Sequence, residues 1–96
     1  MTSAAADPML PPADETAVRT HVRALNELAA RFGVSELRFA SAGRLVGHVS
    51  DDRDALDVAE FEVAARGLLG ADIGLFSDRV LTKANVSPDL VAAAPL

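Results

Sequence analysis

Two groups of residues near the middle of the chain have the types and spacing needed for phosphate and metal chemistry. Ser41 lies in a run of small residues that begins at Ala40 and ends before Arg44, and ten residues separate Ser41 from Asp52, with Asp54 two positions further on. Backbone N–H groups of a small-residue turn can approach a polyphosphate, and a hydroxyl and a guanidinium can bind its oxygens. If Asp52 and Asp54 lie on a strand, their Cα atoms are roughly 7 Å apart on one face, as Mg²⁺-assisted phosphoryl transfer requires.

The acidic residues also have a plainer interpretation. Together with their neighbours Asp51 and Asp57, Asp52 and Asp54 could form a solvated acidic loop, which is the usual role of such a cluster. His48 lies between the serine and the aspartates and is most simply a loop histidine. The chain has no cysteine and no Gly-x-Ser-x-Gly elbow, so thiolate chemistry is excluded and a hydrolase triad is not supported.

The charge balance argues against direct nucleic-acid binding. Nine Lys and Arg residues are scattered among fourteen Asp and Glu residues, which gives a net charge of -5 over 96 residues, whereas phosphate backbones attract clustered basic residues. The sequence has no basic leader segment and no stretch of about 18 uncharged apolar residues. We therefore expect one small domain that is cytoplasmic and does not interact with a membrane.

Hydrophobic periodicity places the candidate residues in a small α/β domain of the layered α+β type. The Ala- and Pro-rich residues 1–13 predict a disordered tail, and the domain is expected to cover 14–96. An amphipathic helix is predicted from the N-cap Asp14 to Phe32, with Gly33 as its C-terminal stop.

The remaining elements follow from shorter patterns. We expect strands over 36–39, 54–58 and 72–77, a turn with a short helical segment over 40–47, a helix over 60–69 ended by Gly70, and a last helical turn capped by Ser87. This order predicts a small mixed sheet flanked by helices.

With these elements in place, the chain resembles the minimal nucleotidyltransferases of the polymerase-beta-like superfamily, which include antitoxin partners of HEPN-domain toxins. The family pattern is Gly-Ser, ten residues, and Asp-any-Asp, and Ala40-Ser41 and Asp52-Arg53-Asp54 are similar to it, with Arg44 three positions after the serine. The C-terminal part, from Leu68-Leu69-Gly70 to Ala94-Pro95-Leu96, is also similar to the family's ending. The resemblance covers about residues 14–96.

The resemblance implies an activity and a partner. It implies that Ala40, Ser41 and Arg44 contact ATP, and that Asp52 and Asp54 are catalytic and bind Mg²⁺. It further implies transfer of AMP to a hydroxyl, a tyrosine in the family, of a HEPN-type toxin, with which the chain would form a hetero-oligomer.

Three departures from the family pattern bear on that activity. Ala40 replaces the glycine of Gly-Ser, Arg53 replaces an apolar residue and would point to the opposite face of the sheet, and Gly74 aligns with the third family carboxylate, for which Asp72 is a displaced candidate. Two hypotheses follow: an active nucleotidyltransferase, or an inactive module of the same fold that neutralises the toxin by masking it. A regulatory domain without a toxin partner is a weaker third.

Overall fold

The computed structural model describes residues 10–96 as a layered α+β domain. Its elements in chain order are α1 (Glu15–Thr20), α2 (Val22–Arg31), β1 (Val34–Ser41), β2 (Arg44–Val49), α3 (Ala55–Leu69), β3 (Gly74–Ser77), a 3₁₀-helix (Asp78–Thr82), α4 (Pro88–Val91) and β4 (Ala94–Pro95). The predicted fold class, a small mixed sheet flanked by helices, is confirmed.

The four strands form one sheet in the order β3-β2-β1-β4. β1 and β2 are an antiparallel hairpin that turns at Gly43, whose φ of 78° belongs to the left-handed region that favours glycine. β2 and β3 are parallel, with Arg44 opposite Gly74, and α3 makes the crossover between them. β2 is therefore an inner strand, and Leu45 and Val46 on it are fully buried.

Two short helices replace the single N-terminal helix predicted from the sequence. Asp14 caps α1 as expected, accepting from the Ala17 amide at 2.8 Å. The interruption falls at His21, whose Nδ1 lies 2.9 Å from the Ala17 carbonyl oxygen. The Thr20 hydroxyl donates to the carbonyl oxygen four residues earlier, and such side-chain competition for backbone carbonyls bends helices.

The apolar stripe of α1 and α2 packs with α3 on the sheet. The largest fully buried side chains are Val18, Leu25, Leu45, Val46, Phe61 and Ile73. α3 ends as predicted at Gly70. No helix between residues 10 and 96 is both long and apolar enough to cross a bilayer.

Two predictions about the middle of the chain are wrong. Residues 40–47 were expected to form a turn and a short helical segment, but they contain the end of β1, the hairpin turn and most of β2. Residues 54–58 were expected to be a strand, but Asp54 is the N-cap of α3. The alternation of Leu56 and Val58 favours a strand. The N-cap at Asp54 and the apolar residues of the longer helix that contains both positions outweigh this short pattern.

The boundary predicted at residue 14 is also too late. The amide of Asp72 donates to Pro11, and the Ala13 amide donates to Asp72, both at 2.8 Å, in a short parallel bridge. The Gly43 amide donates to the Ala13 carbonyl at 2.8 Å, and Ala13 is buried. Residues 11–13 thus belong to the domain, because their backbone groups form hydrogen bonds with those of Gly43 and Asp72. The rest of the predicted tail, 1–9, lies outside the described residues.

Candidate functional site

Asp52 and Asp54 do not form a carboxylate pair on a strand. Asp52 lies in an exposed turn after β2, where its Oδ1 accepts from the Ser50 hydroxyl at 2.7 Å. This hydrogen bond, with smaller help from the backbone amide of Asp52 and from Arg53, lowers the pKa of Asp52. The aspartates remain a predicted catalytic and metal-binding pair, but without the strand geometry on which that prediction depended.

The carboxylate of Asp54 is occupied by the start of α3. It accepts from the amides of Leu56 at 3.0 Å and Asp57 at 3.3 Å. Asp57 reciprocates through its Oδ2, which accepts from the Asp54 amide at 3.2 Å. This reciprocal arrangement is a capping box, which satisfies backbone donors that a helix N-terminus leaves free.

Ser41 and Arg44 do come together, on opposite ends of the β1–β2 turn, but around a carboxylate of the same chain. The Ser41 hydroxyl donates to Oδ2 of Asp89 at 2.6 Å, and Nη1 of Arg44 lies 3.4 Å from the same oxygen. The serine hydroxyl is the main cause that lowers the pKa of Asp89; burial opposes it, and Arg44 adds to it. Asp89 therefore takes the position of an anion between the two groups predicted to bind phosphate.

The surroundings of Arg44 extend this contact toward β3. The guanidinium carbon lies 4.8 Å from the centroid of the Phe76 ring, a cation–π distance. Arg44 pairs in register with Gly74, the position expected to carry the third family carboxylate. A methyl group added at Gly74 would lie 3.5 Å from Oε2 of Glu62, which itself accepts from the Leu75 amide at 2.7 Å.

These residues do not fit a magnesium–nucleotide site of the expected kind. Mg²⁺ needs oxygen ligands that converge at about 2.1 Å, but Asp54 binds helix amides and the strand next to β3 begins with the cation Arg44. Within residues 10–96 no group of three or more His, Asp or Glu side chains is arranged to hold a metal ion.

The other residues singled out from the sequence have structural contacts. Arg53 lies in a loop and pairs with Asp57 at 3.3 Å, so the prediction that it lies on a strand and points to the opposite face of the sheet from Asp52 and Asp54 is wrong. Asp72 pairs with Arg66 at 2.9 Å rather than joining Asp52. Two further positions are placed by the fold. Ala40 is half-buried on β1, and His48, predicted to be a loop histidine, lies on β2 and contacts Asp78 at 3.1 Å.

Sequence reasoning missed the roles of Asp89 and Asp57. Asp89 lies 48 positions from Ser41, and nothing local in the sequence connects them. The role of Asp57 did have a signal, because an N-cap aspartate followed three positions later by a second acidic residue, before an apolar helix, resembles a capping box.

Comparison with known proteins supports the fold but identifies none of the site residues. No family model matches the chain, and no curated protein matches it. The chain is similar to a solved structure described as a "putative minimal nucleotidyltransferase", with 26% identity and a TM-score of 0.66 over 86% of this chain and 96% of that one. The fold is therefore nucleotidyltransferase-like across the domain.

Proposed function

We propose that this chain is a nucleotidyltransferase-fold binding module that neutralises a HEPN-type toxin by covering it, without transferring a nucleotide. The contact of Ser41 and Arg44 with Asp89 carries this proposal. A triphosphate would have to displace the Asp89 carboxylate from both groups and would meet its negative charge. Since like charges at short range repel, the internal anion opposes the ligand expected there.

The positions of the other expected ligands also favour an inactive site. Asp54 would have to give up two helix amides to bind a metal ion. A divalent cation near Gly74 would lie close to the Arg44 guanidinium, which opposes its positive charge. The helix cap at Asp54 and the pairing of Arg44 with Gly74 each stabilise the fold, so the domain can persist without nucleotide transfer.

The identity of the partner rests on the family resemblance together with charge. An RNA-cleaving toxin needs an electropositive surface to hold its substrate. A chain with a net charge of -5 would be attracted to that surface, and complementary charge speeds association. The expected assembly is a hetero-oligomer with the toxin.

Co-expression of the chain with a HEPN-type toxin tests this proposal. The Asp52→Asn, Asp54→Asn double variant should restore growth as well as the unmodified chain does, because asparagine preserves the helix cap and masking needs no metal ligand. Purified complexes incubated with labelled ATP and Mg²⁺ should carry no label on the toxin.

Either of two results would contradict the proposal. Transfer of label to the toxin, lost together with neutralisation in the double variant, would show catalysis through the aspartates. Failure of the unmodified chain to bind and neutralise the toxin would remove the masking role. Thermal melts of both chains serve as the folding control.

A further inference from the structure

An apolar groove runs along the outer seam between α2 and α3. Two adjoining depressions share Ala64 in their linings. Apolar side chains from both sides line the groove: Leu28 and Phe32, then Leu56, Val63 and Leu68. From Leu56 to Leu68 the helix rises about 18 Å, a little more than three helical turns.

Three apolar residues of this groove, Leu56, Val63 and Leu68, are unusually exposed for their type. Leu56 and Val63 are 66% and 65% exposed and lie seven positions apart, on one face of α3. The opposite face of the helix buries Phe61 completely against the sheet. α3 is thus apolar on two sides, and a contiguous exposed apolar patch marks an interaction surface.

The lining of the groove suits another helix. Three alanines, Ala24, Ala59 and Ala64, lie among the larger lining side chains. Short side chains let a helix backbone approach closely, while the leucines and Val63 provide walls on either side. An amphipathic helix in an apolar groove is a recurrent mode of protein recognition.

The charges around the groove select the partner. Glu27 and Glu60 line it, and neither forms an ion pair within residues 10–96. Asp54 caps the end of α3 that carries Leu56, and Arg31 is the basic residue among the lining side chains. Acidic groups therefore outnumber basic ones along the groove.

A second copy of the chain fits this surface poorly. A two-fold contact places the same patch on both sides of an interface. Groove would meet groove, and the acids of each copy would face the acids of the other, between chains that each carry a net charge of -5. Such like-charge contacts oppose association.

We infer that the α2–α3 groove binds an amphipathic helix whose apolar stripe is flanked by Lys and Arg, supplied by a partner protein. The inference rests on the proposed function in taking that partner to be the neutralised one. Apolar residues of the helix would cover Leu56 and Val63, and its basic residues would meet Glu27 and Glu60.

Two synthetic peptides test the inference with the full chain. One has leucines at helical spacing and lysines at the other positions, and the second has glutamate in place of each lysine. Fluorescence anisotropy should show that the lysine peptide binds, more weakly as salt rises, and that the glutamate peptide does not.

Two matched variants localise the binding. Val63→Glu places a charge in the groove, and Val91→Glu places the same charge on α4, where the valine is 64% exposed, nearly the same as Val63. The first should weaken binding of the lysine peptide by about tenfold, because the leucine stripe of the peptide would cover a charged carboxylate where it now contacts Val63, and the second should leave binding unchanged. Both sites are exposed, so neither variant should unfold the chain.

Three results would overturn the inference: equal binding by Val63→Glu, equal binding of the glutamate peptide, or dimerisation of the free chain that Val63→Glu abolishes in sedimentation. Its failure is separable from that of the proposed function. If Val63→Glu neutralises the toxin normally and the peptide does not bind, the groove is wrong and masking stands. If the peptide binds through Val63 but no toxin is neutralised, the groove stands and the proposed function fails.

Discussion

Substitution of Asp54 separates a structural role from a catalytic one. The carboxylate accepts from two amides at the start of α3, and Asp57 completes the box. Replacing an N-cap acid with alanine costs about 0.5–2 kcal/mol, and with two amides left unbonded we expect about 1–2 kcal/mol. In a domain of this size each kcal/mol lowers Tm by about 4–8 °C, so Asp54→Ala should lower Tm by about 4–16 °C.

Asp54→Asn is the informative companion. Asparagine caps helices as well as aspartate does, and it loses only the favourable interaction of a charge with the helix dipole, a few tenths of a kcal/mol at an exposed site. Its Tm should stay near that of the unmodified chain. Asp52→Ala serves as the control, because its carboxylate accepts one side-chain hydrogen bond in an exposed turn and Tm should change little.

Thermal unfolding followed by circular dichroism measures all three variants, and urea unfolding with an unchanged slope would show that the denatured state is not altered. A fall in Tm for Asp54→Asn as large as that for Asp54→Ala would refute the capping argument, since charge alone would then explain the loss. An unchanged Tm for Asp54→Ala would refute it as well.

Three further substitutions test other contacts. The pKa of Asp89 is lowered in the fold, so the stability that its contact contributes is fully present above the unfolded pKa near 3.9 and is lost as pH falls through the folded pKa. The difference in Tm between the unmodified chain and Asp89→Asn should therefore shrink below about pH 4. A difference that stays constant in thermal melts across pH would contradict the contact. Gly33→Ala should cost about 1–2 kcal/mol in urea unfolding, because φ is 73° and the new methyl would clash with Cγ of Arg53. An Arg53→Ala background should remove the clash but not the backbone cost. Gly67→Ala should raise stability by about 0.5–1 kcal/mol in the same assay, since nothing lies within 4 Å of the added methyl inside α3; a loss there would show that the helix face is not open.

Local signals in the sequence predicted the elements that depend on local physics. The stripe through Val18, Leu25 and Leu28 lies on helices that pack on the sheet, and Gly70 ends α3 in the left-handed conformation. Ser87 and Pro88 start α4 as expected. In each case the residues that define the element lie within a few positions of one another, so a single sequence contains the information.

The candidate site depended on distant contacts and was predicted only in part. Ser41 and Arg44 meet because only the two residues of one tight turn separate them. Ten residues between Ser41 and Asp52 match the family spacing, but here most of that length is the strand β2. The number of residues between two positions does not say in which direction the chain runs between them. Asp89 lies 48 positions from Ser41, so the spacing gave no sign of their contact.

The distribution of ion pairs shows which acidic groups of the chain remain free to attract a basic partner. Five arginines each pair with an acid of the same chain: Arg19, Arg44, Arg53, Arg66 and Arg79. The contact of Arg44 with Asp89 neutralises the end of the β1–β2 hairpin, whereas Glu27 and Glu60 beside the α2–α3 groove have no such partner among residues 10–96. Unpaired acids therefore lie where apolar side chains are exposed. If the groove is the binding surface, the Glu27→Gln, Glu60→Gln variant should lose most of the salt dependence of association while Asp89→Asn keeps it; equal slopes would place the charged contact elsewhere.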